Sequence, residues 1–274
     1  MTSGEKQLFK NLINEIERRE NNMKRNYEVY LSRMNAAMAE KLFFLDKIDL
    51  SRYDTIIDFG CADGTLINHL IASGVNPKKL IGIDSSLVMA ATFKNNCPGV
   101  EIYSSLEYIN DSPSFKRGKV AIIFSSVLHE LSLSFYPVWS WVSRNADAVI
   151  IRDMFLFNDF KPHAFFRIVN DIQNSPYGYE FRDYIKTNPA EVNSAYLLQF
   201  LMKYRYIENW ELEKLEDYAS VPWKEIEEDE EFQITYSHSY FNEYIERTLK
   251  RDFNITEDDY HYLQTHREMI LERV

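Results

Sequence analysis

YDTIIDFGCADGTL, Tyr53 to Leu66, holds the transition on which the rest of the chain is read. Thr55–Phe59 is a short apolar run with one acid, Asp58, and reads as a buried strand. Gly60, Cys61, Ala62, Asp63 and Gly64 form a turn, and a helical pattern follows over Thr65–Ser73. In a doubly wound α/β sheet, ligands lie at the carboxyl ends of the strands, close to where the strand order reverses. A turn there needs glycine wherever the backbone must pass close to a ligand. The helix behind it offers free N–H groups to polar ligand atoms.

Outward from this turn the rhythm is strand, helix, strand. Leu80–Asp84 predicts a second strand and Leu87–Asn96 a second helix. Val100–Tyr103, Val120–Ser125 and Ala148–Arg152 predict three more strands, with a helix over Phe135–Arg144. Short apolar strands alternating with helices imply parallel βαβ units covered on both faces. Four regions follow: N-terminal helices over 1–50, an α/β core over 51–154, an aromatic-rich helical insertion over 155–230, and late strands over 231–274 that complete the sheet. In the first, Leu8, Phe9, Leu12, Ile13 and Ile16 mark an amphipathic helix within 5–35, and a second helix is expected over 35–47. Phe155, Phe157 and Phe160 are assigned to the insertion, where Ala195–Tyr206 is the clearest helix. Late strands are expected at Phe232–Tyr236 and His266–Leu271, with a helix at Tyr240–Asp252 between them.

Composition narrows the classes. With 45% hydrophobic and 27% charged residues, the 274-residue chain reads as an ordinary globular protein. No run approaches the roughly 18 apolar residues of a membrane helix. A charged start without an apolar leader and only two cysteines, Cys61 and Cys97, point to a cytoplasmic setting. The net charge of −11 is concentrated in residues 206–274, with 19 acids against 7 bases. Nucleic-acid binding draws on basic surface, so this balance disfavours a long nucleic-acid track.

Two cofactor classes use a glycine turn after a first strand. A dinucleotide fingerprint starting at Gly60 wants glycine where Ala62 and Thr65 stand. An acid at the strand end followed by GxGxG fits better, since Asp58-Phe59-Gly60-Cys61-Ala62-Asp63-Gly64 departs only at Ala62. With LIGIDSS (80–86) and VAIIFSSVLHEL (120–131), residues 53–153 resemble the class I S-adenosylmethionine-dependent methyltransferases. The ending HREMILERV resembles that family's last antiparallel strand more loosely. Residues 1–50 and 155–225 fall outside the resemblance.

The resemblance implies a doubly wound Rossmann-like sheet, mostly parallel with a final antiparallel strand, and S-adenosyl-L-methionine as cofactor. Asp58 would face the amino group of its methionine moiety through water. Gly60, Cys61, Ala62 and Gly64 would pass beneath it, and Asp84 would accept from both ribose hydroxyls. Ser85 and Ser86 would line the adenine, and Ser125 stands at the fourth-strand exit. The family often has an acid after the third strand, whereas this chain has Ser104 and Ser105, so a serine or backbone group must serve. Ala62 is tolerable in the turn if its φ is negative. Cys61, with no histidine partner implied, reads as a plain turn residue.

Methyl transfer of this kind works mainly by proximity in a dry pocket. A general base helps when the acceptor is a hydroxyl or an acidic carbon. His129, just past the fourth strand, stands where a base would lie, with Glu130 beside it. The competing roles are packing of the next helix for His129 and a favourable helix-start charge for Glu130. Arg152, Asp153, His163, Arg167 and Tyr177 are further candidates for facing the acceptor. Phe124-Ser125-Ser126-Val127 lacks the acid-or-Asn, Pro-Pro, aromatic pattern of enzymes that methylate nucleobase amines. The expected activity is methyl transfer to a small or medium organic acceptor. The rivals are an RNA (tRNA or rRNA) or protein methyltransferase docking through Lys24, Arg25 and Arg33, and a non-catalytic cofactor-binding regulatory module.

Overall fold

The computed structural model describes residue 32 and residues 36–111, 115, 118–187 and 193–274. Apart from residue 32, the amphipathic helix expected over 5–35 lies outside these, as do Lys24, Arg25 and Arg33. In place of one helix over 35–47 there is a single turn, α1 (Met38–Lys41), then 3₁₀ turns at Phe43–Asp46 and Leu50–Arg52. The chain tightens there and seats Phe44, fully buried, beneath the sheet.

The core then runs β1 (Thr55–Phe59), α2 (Thr65–Ala72), β2 (Leu80–Ile83), α3 (Leu87–Asn96), β3 (Glu101–Tyr103) and β4 (Val120–Ser125). It continues through α4 (Leu128–Leu131), α5 (Phe135–Asn145) and β5 (Ala148–Phe160). The insertion supplies α6 (Pro162–Asn174), α7 (Gly178–Thr187), α8 (Ser194–Lys203), α9 (Trp210–Glu213) and α10 (Trp223–Glu227). The chain closes with β6 (Phe232–Tyr240), α11 (Glu243–Phe253) and β7 (Tyr260–Arg273). Among the described residues, no helix is long and apolar enough to cross a membrane.

The seven strands form one sheet in the order β3-β2-β1-β4-β5-β7-β6. β7 is the antiparallel strand, paired with β5 on one side and β6 on the other. Alternation along the buried strands builds two cores. Ile57, Ile122, Phe124, Val149 and Ile151 face α5 and Trp223, whereas Ile56, Ile123 and Ile150 face Ile67, Leu70 and Phe93. Phe59 of β1 lies opposite Phe124 of β4. Gly60 and Ser125 therefore leave the sheet side by side, where the strand order reverses.

Four expected boundaries move. β5 runs on to Phe160, so Phe155, Phe157 and Phe160 are strand residues and not part of a helical insertion. The reason is β7, which begins at Tyr260 rather than His266 and offers a ladder to the added residues: Phe157 pairs with Gln264 and Phe160 with Tyr260. β6 also extends to Tyr240, and α11 starts only at Glu243, where the Asn242 side chain accepts from Ile245 N–H at 3.0 Å. The insertion packs around its own apolar centre, with Phe181, Tyr184, Phe200 and Tyr204 set against Leu249 and Phe253 of α11.

Candidate active site

The turn after β1 is held in an unusual backbone path. Gly60 (φ +75°) and Gly64 (φ +83°) occupy the left-handed region. Both are also confined from behind: a Cβ on Gly60 would lie 2.6 Å from Val127, and one on Gly64 would lie 2.4 Å from Cys97 Sγ. Ala62 shares that conformation at φ +45°, so the expectation of a negative φ there is corrected. A left-handed L-residue costs about 1–2 kcal/mol. What holds it is Asp84, whose Oδ2 accepts Ala62 N–H at 2.9 Å. Glycine is expected to relieve that strain against an unfolded-state entropy cost of about 0.5–1 kcal/mol. Ala62→Gly should therefore raise unfolding free energy by about 0.5–1 kcal/mol in urea titration. A drop instead would mean that the turn is not strained at this residue.

Asp58, Gly60, Cys61, Ala62 and Ser125 line one pocket, which Met38 and Lys41 of α1 close from above. Asp58 is buried, and among the described residues its Oδ2 has no hydrogen-bond partner; nor do the buried hydroxyls of Ser105 and Ser125. A folded chain seldom leaves buried polar atoms unpaired, and these three stand at the carboxyl ends of β1, β3 and β4. Burial pushes the Asp58 carboxyl up to about 7 despite the opposing pull of Lys41. Burial likewise brings the Lys41 ammonium down to about 8, helped by Arg152. The pocket thus sets an acid beside a cation, the complement of an amino-acid zwitterion. Lys41 was not legible as a site residue, although a lysine on the stripe of Met38, Leu42 and Leu45 is the signal that marks it.

Asp84 follows β2 directly, with its carboxylate accepting from Ala62 N–H and, at 2.8 Å, from Ser86 N–H. Its pKa is raised by burial, and the two N–H groups oppose that rise. Ser85 and Ser104 are exposed at the same end of the sheet. Burial also pushes the Cys61 thiol far up, so it is not a thiolate, which fits its place in the turn.

A second cluster lies past β4. His129 Nδ1 is 2.6 Å from Asp153 Oδ1, and both residues are buried. Asp153 Oδ2 also accepts Val127 N–H at 2.8 Å and Leu128 N–H at 2.7 Å, which fixes the start of α4. Burial works to lower the pKa of His129, but the Asp153 carboxylate outweighs it and lifts the ring to about 9. Among the described residues, Asp153 is the ring's only hydrogen-bond partner. Tyr218 meets the ring edge-on, 5.2 Å between centroids, and Ser220 Oγ donates to the His129 carbonyl. Glu130 is solvent-exposed yet closely surrounded by protein atoms. That crowding raises its pKa against the pull of His129, and Asp153, Asp84 and Glu213 add to the rise.

Of the other candidates, Arg152 is committed within the fold. It donates to Ser126 Oγ at 2.9 Å, to Glu40 Oε2 at 2.5 Å and to Tyr240 Oη at 3.2 Å. Glu40 also accepts from Asn242 Nδ2 and from Tyr240 Oη, which fastens α1 over the pocket. Arg167 pairs with Asp171 and Asp259, Tyr177 packs on Tyr204 and Phe253, and His163 is exposed on α6. None of these three joins the cluster.

No protein-family profile matches the chain. Over 147 residues it is 29% identical to the ribosomal RNA large subunit methyltransferase E of Nitrosopumilus maritimus (strain SCM1). The match covers 50% of this chain and 66% of that protein, just under two thirds of its length. Among solved structures it is similar to the plantazolicin methyltransferase BamL in complex with a triazolic desmethylPZN analog and SAH. Identity there is 12% and the TM-score 0.48, over 93% of this chain and 90% of that one. A putative S-adenosylmethionine-dependent methyltransferase from Listeria monocytogenes is 15% identical with a TM-score of 0.48, over 86% and 99% of the two chains. Dinucleotide-binding sheets share the order 3-2-1-4-5 but carry no antiparallel strand wedged between the fifth and sixth. The wedge, β7, completes the Rossmann-like sheet, mostly parallel with an antiparallel strand, that the sequence's resemblance to the class I methyltransferases implies.

Proposed function

We propose that the chain transfers a methyl group from S-adenosylmethionine to a small or medium organic acceptor held between the carboxyl edge of the sheet and the insertion. The observation that carries this reading is the trio of buried atoms unpaired among the described residues, Asp58 Oδ2, Ser105 Oγ and Ser125 Oγ, at the carboxyl ends of the parallel strands β1, β3 and β4. They suit the polar groups of this cofactor. Asp58 would take its ammonium, Lys41 its carboxylate and Asp84 the ribose hydroxyls, with Ser105 and Ser125 nearby. When bound, the cofactor supplies an electrophilic methyl on a sulfonium.

The chain's own contribution is to orient the acceptor and to hold a proton at His129. With its pKa near 9, the ring is an imidazolium at neutral pH and accepts a proton only after losing its own. The acceptor class rests on the electrostatics of the cleft. Glu130, Glu213 and Glu216 gather beside the dyad, and burial together with their mutual repulsion raises Glu216 to about 8. Over residues 206–274, 19 acids against 7 bases set up a negative field that disfavours a polyanion. The ribosomal RNA methyltransferase relative favours an RNA acceptor as the second reading, though its match spans half of this chain.

Methyl-labelled S-adenosylmethionine incubated with cell extract fractionated into small molecules, RNA and protein tests the proposal. Label is expected in the small-molecule fraction. Label in RNA or protein would overturn the acceptor class. Tight binding without transfer to any fraction would favour the non-catalytic module.

A further inference from the structure

Asp153 grips the His129 ring at one atom, Nδ1. A ring held at a single nitrogen can still rock, and reactive geometry tolerates only about 0.5 Å or 10–20° of play. Two contacts from the loop 214–222, between α9 and α10, restrain it. Tyr218 packs on the imidazole with 5.2 Å between ring centroids and 78° between the planes. Ser220 Oγ donates to the His129 carbonyl at 2.9 Å. Edge-to-face pairs of rings favour one mutual orientation, so the first contact fixes the ring and the second its backbone.

Tyr218 is itself firmly held. It is buried, and burial pushes its pKa far up, so the hydroxyl keeps its proton and donates it to the Glu213 carboxylate. Lys203 of α8, fully buried, places Nζ 3.7 Å over the centre of the Tyr218 ring. The same Nζ donates to the Glu213 carbonyl at 2.8 Å and to the Glu216 carbonyl at 2.7 Å, which braces the backbone leading to the ring. On the other side of the loop, Trp223 Nε1 donates to the Met154 carbonyl at 2.9 Å, and Met154 follows Asp153 in β5. Loop and dyad are therefore tied to the same stretch of strand.

We propose that Tyr218 is a positioning residue, which aims His129 Nε2 at the methyl acceptor by fixing the plane of the ring. The assignment rests on the proposed function only in placing an acceptor before Nε2. Tyr218 acts through the histidine, so its loss costs nothing once the histidine is gone. The insertion then contributes to the chemistry as well as to the enclosure, because the ring that aims the base comes from it.

The test uses the full chain, saturated with S-adenosylhomocysteine and carrying isotope-labelled histidine. Solvent exchange of the His129 Nδ1 proton, identified by its absence in His129→Ala, should quicken at least about tenfold in Tyr218→Leu. Tyr218→Phe keeps the edge-to-face pair and should stay within about threefold of wild type. Tyr218→Met serves in the same way if the leucine variant does not fold. Methyl transfer from labelled S-adenosylmethionine to the small-molecule fraction of cell extract, counted per S-adenosylhomocysteine-binding site, should fall about ten- to a hundredfold in Tyr218→Leu. In a His129→Ala background the same substitution should change transfer by less than about twofold, because the two residues act as a unit. Unchanged exchange or transfer in Tyr218→Leu, a further loss in the His129→Ala background, or a phenylalanine variant as impaired as the leucine one would each overturn the proposal. No transfer by wild type, with exchange as expected, would strike the methyltransferase reading alone and leave Tyr218 as the residue that fixes the ring.

Discussion

Asp84→Ala is expected to weaken S-adenosylhomocysteine binding by at least about tenfold in isothermal calorimetry. Each charge-assisted hydrogen bond contributes about 1.5–3 kcal/mol, and about 1.4 kcal/mol is a factor of ten in affinity. Two ribose hydroxyls are the bonds at stake. The geometry adds a second loss, because Asp84 also holds Ala62 N–H at 2.9 Å and Ser86 N–H at 2.8 Å. Alanine frees the left-handed residue of the cofactor turn, so preorganisation goes together with contact. Asp84→Asn retains acceptor capacity without the charge and should fall between the two. Affinity equal to wild type for the alanine variant would remove S-adenosylmethionine as the ligand of this turn.

The second large effect concerns pH. If His129 is the base, only its neutral form accepts a proton, and Asp153 holds the ring protonated up to about 9. Turnover should then climb about tenfold per pH unit below that value and level off above it, with roughly one site in a hundred competent at pH 7. His129→Ala should abolish the climb and lower turnover at pH 9 by about 10²–10⁴, with S-adenosylhomocysteine affinity within twofold of wild type. Asp153→Asn should move the rise to lower pH, since burial then acts on the ring without its opposing anion. A flat wild-type profile, or equal loss of turnover and cofactor affinity in His129→Ala, would make the histidine structural.

The βαβ rhythm was legible because its strands are buried on both faces and read as short unbroken apolar runs, such as Val120–Phe124. The final antiparallel strand was legible from HREMILERV, but its first six residues were not. Tyr260–Thr265 alternate only weakly, and their pairing with Asn158–Phe160 depends on a strand a hundred residues earlier. Asp58, Gly60 and Asp84 could be found because turn geometry restricts which residues can stand there. The sign of φ at Ala62 could not, because it is imposed by a carboxylate 22 residues away. His129 and Asp153 were each named, but their pairing needed the β4–β5 register.

The Glu40 carboxylate has a consequence for the order in which the molecule is assembled. Its partners stand 112 residues away at Arg152, 200 at Tyr240 and 202 at Asn242. Closing loops of that length requires β5 and the β6–α11 junction already to be in place. Lys41, the next residue, is brought over Asp58 by the same fastening. The glycine turn and Asp84 are local and can form with the first βαβ unit. The cation that completes the donor pocket must wait for the C-terminal third of the chain, so a partly folded molecule would hold the nucleoside half of the site without its amino-acid half.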